Sequence, residues 1–272
     1  MPLIALASLK ASPGVTTTAL ALAAAWPAQR LLLIEADPAG GDLGPWLGLP
    51  PSPGLASLAT AARRDHDRGE TWRHATELGA GVHVIVAPAG AEQAAACLAT
   101  LDGTEVLGSL VTEPDVVIAD CGRLDPGSPS LALAAQATIT LLLVRPKVSE
   151  LSHLAPRISR LTQAGLRLGL VLAPDTGQPP DEPSYGAAEI ADTLSLPVYG
   201  SLPADPRTVG YLLRNRAELP DARRPPALVR AVAGLATDLS EPAQPPLGSL
   251  ASKRPDTDPD HLREVTAGDR NG

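Results

Sequence analysis

The sequence predicts an α/β domain with a doubly wound, mostly parallel sheet and helices on both faces. Short aliphatic runs recur along the chain without polar alternation, as expected of strands buried on both sides. Each run is followed by a turn and a helix-like stretch, the spacing of crossover units in a parallel sheet. Hydrophobic residues make up 44% of the chain, ample for a full core, although aromatic residues are only 2% and Phe is absent. Packing must then rest on Leu, Val, Ile and Ala, which is workable because volume and patterning matter more than rings.

The expected strands, in order, are "LIALAS", "LLLIEAD", "VHVIVAP", "VVIADCG", "ITLLLVRP", "LGLVLAP" and "VYGSLP". The expected helices cover 17–26, 55–64, 90–101, 128–136, 149–163, 186–194 and 225–239. Right-handed crossovers put the carboxyl ends of all strands on one edge, where ligands of such sheets bind. The alternation is unbroken, so residues 1–239 are read as one domain although the length of 272 would also allow two. From 240 onward Pro, Gly, Asp and Ser dominate, and 240–272 is expected to be a disordered Pro-rich tail. A smaller proline-rich loop, "PDTGQPPDEPS", interrupts the domain at 174–184. There is no internal repeat.

A net charge of −8 disfavours non-specific attraction to DNA or anionic lipid. Only Lys10, Lys147 and Lys253 are lysines, so nearly all positive charge is arginine. Cys97 and Cys121 make no disulfide framework, and a reduced, cytoplasmic protein is expected. The first lysine follows the apolar stretch, the wrong order for a secretion signal. The longest helical apolar run, "ALALAAAW", is too short to cross a bilayer.

The segment "SLKASPGVTTTAL", directly after the first expected strand, sits where a phosphate-binding loop belongs. Against the pattern G-x-x-x-x-G-K-[ST], residues 9–16 keep Gly14 and Thr16, while Val15 stands at the lysine position. Amides at the start of the following helix, with the positive end of its dipole, form an anion site whatever the side chains are. Thr16 is placed to ligate Mg²⁺ beside a phosphate. Loss of one charge-assisted hydrogen bond, about 1.5–3 kcal/mol, weakens triphosphate binding by about 10- to 150-fold. Pro13 removes a further amide donor. Taken alone, a βα turn without a ligand would look the same.

Lys10 lies five positions before Val15, and Lys10-Ala11-Ser12-Pro13-Gly14-Val15-Thr16 aligns without a gap with K-G-G-x-G-K-[ST]. The chain here resembles the MinD/ParA-type ATPases, whose deviant Walker A loop has that form. "LLLIEADPAGGDL" is similar to the family's second strand and switch, usually D-x-D-P-x-G, and "PDVVIADCG" to its Walker B strand. The resemblance implies a face-to-face homodimer in which Lys10 reaches the partner's nucleotide. It implies that Asp37 orients the attacking water and that Thr16, Asp37 and Asp120 make up the magnesium site, Asp120 holding the ion's water shell. Nucleotide contacts are implied along residues Lys10 to Thr17, counting Thr17 itself. Strand-end aspartates also cap helices, and that alternative stands for each alone. "LGLVLAP" and "VYGSLPADPRTVGYL" resemble the strands after which the adenine pocket forms, making Pro203 and Asp205 candidates for its wall. Val15, Ala11 and Ser12 depart from the family pattern, and Glu35 replaces the first acid of the switch. Within the family the likeness is to TadZ/CpaE-like and actinobacterial MinD-like members, which place secretion or pilus machinery.

The resemblance thus implies a cytoplasmic positioning or scaffold protein that binds ATP and Mg²⁺ with weak or absent hydrolysis, through a protein partner not identified. An active ParA-type partition ATPase is the alternative, and an interaction module with a vestigial site is a third reading. Arg207, Arg214, Arg216, Arg223, Arg224 and Arg230 form a positive stretch that could meet DNA phosphates, though such stripes are usually solvated faces. The end of the chain, broken by Pro255 and Pro259, lacks the apolar face of a MinD-type membrane anchor. His66, His74, His83, His153 and His261 show no ligand spacing. Trp26, Trp46 and Trp72 are expected in the core or at interfaces.

Overall fold

The first strand, β1 (Leu3–Ser8), is buried at every position, and its neighbours explain why. In the computed structural model β1 pairs in parallel with β5 (Val116–Arg123) on one side and β6 (Ile139–Val144) on the other. The model describes residues 3–10, 13–27, 30–63, 71–79, 81–104, 106, 114–174, 184–215, 217–220 and 224–240. The remaining strands are β2 (Leu31–Glu35), β3 (Thr76–Gly79), β4 (Val82–Ile85), β7 (Leu168–Leu172) and β8 (Val198–Ser201). Their order across the sheet is β3-β4-β2-β5-β1-β6-β7-β8, and only β3 runs antiparallel to its neighbour. From β1 the chain travels outward to β2 on one side and later to β6 on the other. This reversal creates a crevice at the carboxyl ends of the central strands.

The helices are α1 (Val15–Ala25), α2 (Leu43–Leu47), α3 (Leu55–Ala62), α4 (Ala91–Leu101), α5 (Leu131–Ala135), α6 (Val148–Gln163), α7 (Ala187–Leu194), α8 (Pro206–Arg214) and α9 (Ala227–Ser240). They divide between two apolar clusters, one on each face of the sheet. Leu58, Leu98, Leu154 and Ile190 bring α3, α4, α6 and α7 to one face. Leu20, Leu43, Leu212 and Val232 bring α1, α2, α8 and α9 to the other. Alternate strand residues feed the two clusters, Val117 and Ala119 on the first and Val116 and Ile118 on the second. The seven expected strands are present, and the doubly wound α/β class stands.

Three differences have physical causes. β3 was not expected because "TELG" has no apolar run; it is a half-exposed edge strand held by pairing to β4. Helix α1 begins at Val15 rather than 17, since Gly14 in a left-handed conformation starts it and packing outweighs the low helix propensity of consecutive threonines. Helix α8 occupies part of the arginine-rich stretch, started by Asp205 and Pro206. The expected tail lies, beyond Ser240, outside the described residues, as does 175–183 of the proline-rich loop.

Candidate functional site

The carboxyl ends of β1, β2 and β5 bring together residues far apart in the chain. Register places Leu6 and Glu35 on either side of Asp120, and Ser8 beside Arg123. Above this edge the chain turns into α1 through Gly14, whose φ of 93° is one that glycine adopts without strain. The first amides of a helix have no carbonyl within the helix to bond, so they are donors suited to an anion. Val15 is 6% exposed and belongs to the apolar cluster beneath α1, so the position expected to carry an ammonium carries core packing instead. Pro13 is buried and Thr17 half-buried, and Ala11 and Ser12 lie outside the described residues.

Asp120 is the deepest polar group of the site, 1% exposed. Its carboxylate accepts a hydrogen bond from the Thr16 hydroxyl, and Oδ1 accepts the Gly122 amide at 3.1 Å. Burial pushes its carboxyl up to about 7, against these two bonds and with help from the charges of Glu35 and Asp37. Two of the expected metal-site residues, Thr16 and Asp120, are therefore in direct contact.

Asp37 leaves β2 in a turn closed by its own side chain, Oδ1 accepting the Ala39 amide at 2.8 Å. Its carboxylate lies against Gly122, in the left-handed region at φ 55°, where a Cβ would overlap the carboxylate atoms. Burial raises the Asp37 carboxyl; the Ala39 bond lowers it, Asp42 raises it and Arg123 lowers it. Asp37 thus lies against the residue two positions after Asp120, at the same strand ends.

Glu35 has a different job. It is 1% exposed, with Oε1 accepting the amides of Asp42 at 2.8 Å and Leu43 at 2.7 Å. Oε2 accepts the Ala87 amide at 2.9 Å, so one carboxylate joins the end of β2 to the start of α2 and to the segment leaving β4. Burial raises its carboxyl despite these three bonds. The sequence signal was visible, a charge ending an otherwise apolar run, but its partners were not. Ser130, fully buried, also braces the segment by donating to the Ala36 carbonyl at 2.5 Å.

Lys10 is exposed, and its Nζ donates to the Ser149 carbonyl in α6 at 3.4 Å. Arg157, also on α6, donates to the Leu9 carbonyl at 2.5 Å and lies 3.6 Å from Asp125. Helix α6 thereby holds the exit of β1. Pro203 is half-buried, and Asp205 is the N-cap of α8, with Oδ1 accepting the Thr208 amide at 3.0 Å and Oδ2 the Thr208 hydroxyl at 2.7 Å. These bonds hold the Asp205 carboxyl below its ordinary range. Arg207, Arg214, Arg224 and Arg230 are exposed, whereas Arg216 and Arg223 lie outside the described residues. Cys121 is buried and burial pushes its thiol up, which makes it inert. Trp26 is buried, Trp72 packs edge-on to His83, and Trp46 is exposed.

Among the described residues no group of three His, Cys, Asp or Glu side chains converges to hold a metal directly. The Thr16 hydroxyl and the buried Asp120 carboxylate form a donor pair suited instead to a hydrated Mg²⁺ that takes its other ligands from water and phosphate.

No protein-family model matches the sequence, and no curated protein matches it. Solved structures do. The cell division ATPase MinD of Pyrococcus furiosus superposes with a TM-score of 0.68 at 21% identity, covering 88% of this chain and 98% of that one. A ParA family ATPase from Chlorobium tepidum TLS gives 0.68 at 18% identity, over 87% and 97%. The septum site-determining protein MinD from Pyrococcus horikoshii OT3, complexed with Mg-ADP, gives 0.68 at 19% identity, over 88% and 96%. The fold is that of the MinD/ParA-type P-loop ATPases.

Proposed function

From a fold shared with MinD and ParA ATPases, we propose that this chain is a nucleotide-binding positioning or scaffold protein with a degenerate P-loop and little or no ATP hydrolysis. The observation that supports it is the contact between Thr16 and the buried Asp120 beside Asp37, below the amides that open α1. These groups fit Mg²⁺–ATP: the amides around Gly14 and Thr16 bind phosphate, and Thr16 and Asp120 hold the hydrated ion. The ion would supply charge neutralisation of the phosphate oxygens. Asp37 would orient water, and Lys10 would reach a second subunit's nucleotide in a homodimer. The Val15 side chain offers no ammonium to a phosphate, so ATP serves as a structural ligand or slow switch.

Isothermal titration with Mg²⁺–ATP and a non-hydrolysable analogue tests this. Heat and a thermal shift with both ligands are expected; neither at millimolar ligand would reject the reading. Because Mg²⁺ competes with a proton at Asp120, affinity for Mg²⁺–ATP should rise from pH 6 to pH 8.

The exposed Arg207, Arg214, Arg224 and Arg230 favour a second reading, a ParA-like partition ATPase that grips DNA. It expects DNA-stimulated phosphate release that Asp37→Ala abolishes, and a flat assay with DNA present removes it.

A further inference from the structure

The cations around the crevice are distributed in a way that the loop motif does not reveal. Val15 is apolar, Lys10 is directed to the Ser149 carbonyl, and Arg157 is engaged with the Leu9 carbonyl and Asp125. Glu35, Asp37 and Asp120 meanwhile place three carboxylates at the strand ends, and a phosphate ligand adds further negative charge. Arg123 lies at this same edge. It is the last residue of β5, paired in register with Ser8, where β1 opens into the loop. The neighbouring Leu124 amide donates to the Ser8 carbonyl at 2.9 Å, which fixes the backbone of Arg123 against the loop entrance.

Gly122 explains why this arginine stands exposed at the end of a buried strand. Its left-handed backbone breaks the strand geometry at the last of seven buried positions, so Arg123 emerges exposed. The same glycine makes room for the Asp37 carboxylate, which feels the guanidinium's charge. One backbone turn therefore sets Arg123 beside the strand end that opens into the phosphate loop, with its charge acting on the proposed water-orienting acid. A guanidinium is always charged, planar and forked, a good match to phosphate oxygens.

We propose that Arg123 is a phosphate-binding residue, supplying in the same subunit the positive charge that Val15 cannot supply. This rests on the reading of the crevice as a nucleotide site. On this proposal the guanidinium is balanced by Asp37 and exchanges toward the phosphates when nucleotide binds.

The test is titration of the full chain with Mg²⁺–ATP, Mg²⁺–ADP and adenosine, for wild type, Arg123→Ala, Arg123→Gln and Arg123→Lys. Arg123→Ala and Arg123→Gln should each weaken ATP by about 10- to 150-fold. Arg123→Lys should recover part of that loss, adenosine affinity should not change, and melting temperatures should match wild type. Two neutral variants guard against one failing to fold. A wild-type chain that binds no nucleotide overturns the reading of the crevice, and the role of Arg123 with it. A wild-type chain that binds, with Arg123→Ala binding equally well, overturns the role of Arg123 alone. Equal losses for ATP and adenosine would assign Arg123 to the architecture of the site and also overturn the proposal.

Discussion

With its carboxyl pushed up to about 7, Asp120 keeps a proton in the folded chain at pH values where an unfolded chain has already lost it. Between about pH 4 and pH 7 the folded state binds more protons, so stability must fall as pH rises through that window. The full loss is at most about 4 kcal/mol. Melting curves at pH 5, 6.5 and 8 should show this decline in wild type and a flatter one in Asp120→Asn. Glu35 makes a second prediction at this scale. Exchange to Gln turns one acceptor oxygen into a donor facing a backbone amide, at a cost of about 1–3 kcal/mol in urea denaturation. Both roles were half legible. Asp120 announced itself as an acid closing an apolar run, but its protonation depends on burial, and burial depends on Thr16, Glu35 and Asp37 arriving from elsewhere.

Elements here are defined as much by their end residues as by their periodicity. Strand β5 ends through Gly122, and Gly122→Ala combines a disfavoured backbone angle with overlap of Asp37. It should destabilise by about 1–3 kcal/mol, read from chemical denaturation, and also weaken Mg²⁺–ATP binding. Helix α8 starts on Asp205, and Asp205→Ala should cost about 0.5–2 kcal/mol in the same measurement. "DPRT" carries that cap openly in the sequence: an acid, then proline, then a threonine three positions on. The same aspartate is both this cap and the residue that the family resemblance offers for the adenine-pocket wall. Helix α2 was less legible, since "LGPWL" combines glycine and proline in five residues and forms where Glu35 accepts its first amides. The buried central strands were plain because a parallel sheet covered on both faces leaves long apolar runs and no ambiguity of face.

At the scale of the molecule, the two apolar clusters account for the sheet and its covering helices, and the crevice follows from strand order alone. Lys10→Ala should leave monomer stability within about 0.5 kcal/mol, because Lys10 is exposed. It should abolish any nucleotide-dependent dimer seen by light scattering. Strand order also bears on biosynthesis. Strand β1 leaves the ribosome before either of its neighbours and ends in the middle of the sheet, where Leu3 must wait for Val117. At translation rates of about 5–20 residues per second, that wait is on the order of 10 s. For that interval a sticky hexapeptide lacks its native neighbours, and a chaperone that shields nascent hydrophobic segments would have a client in "LIALAS".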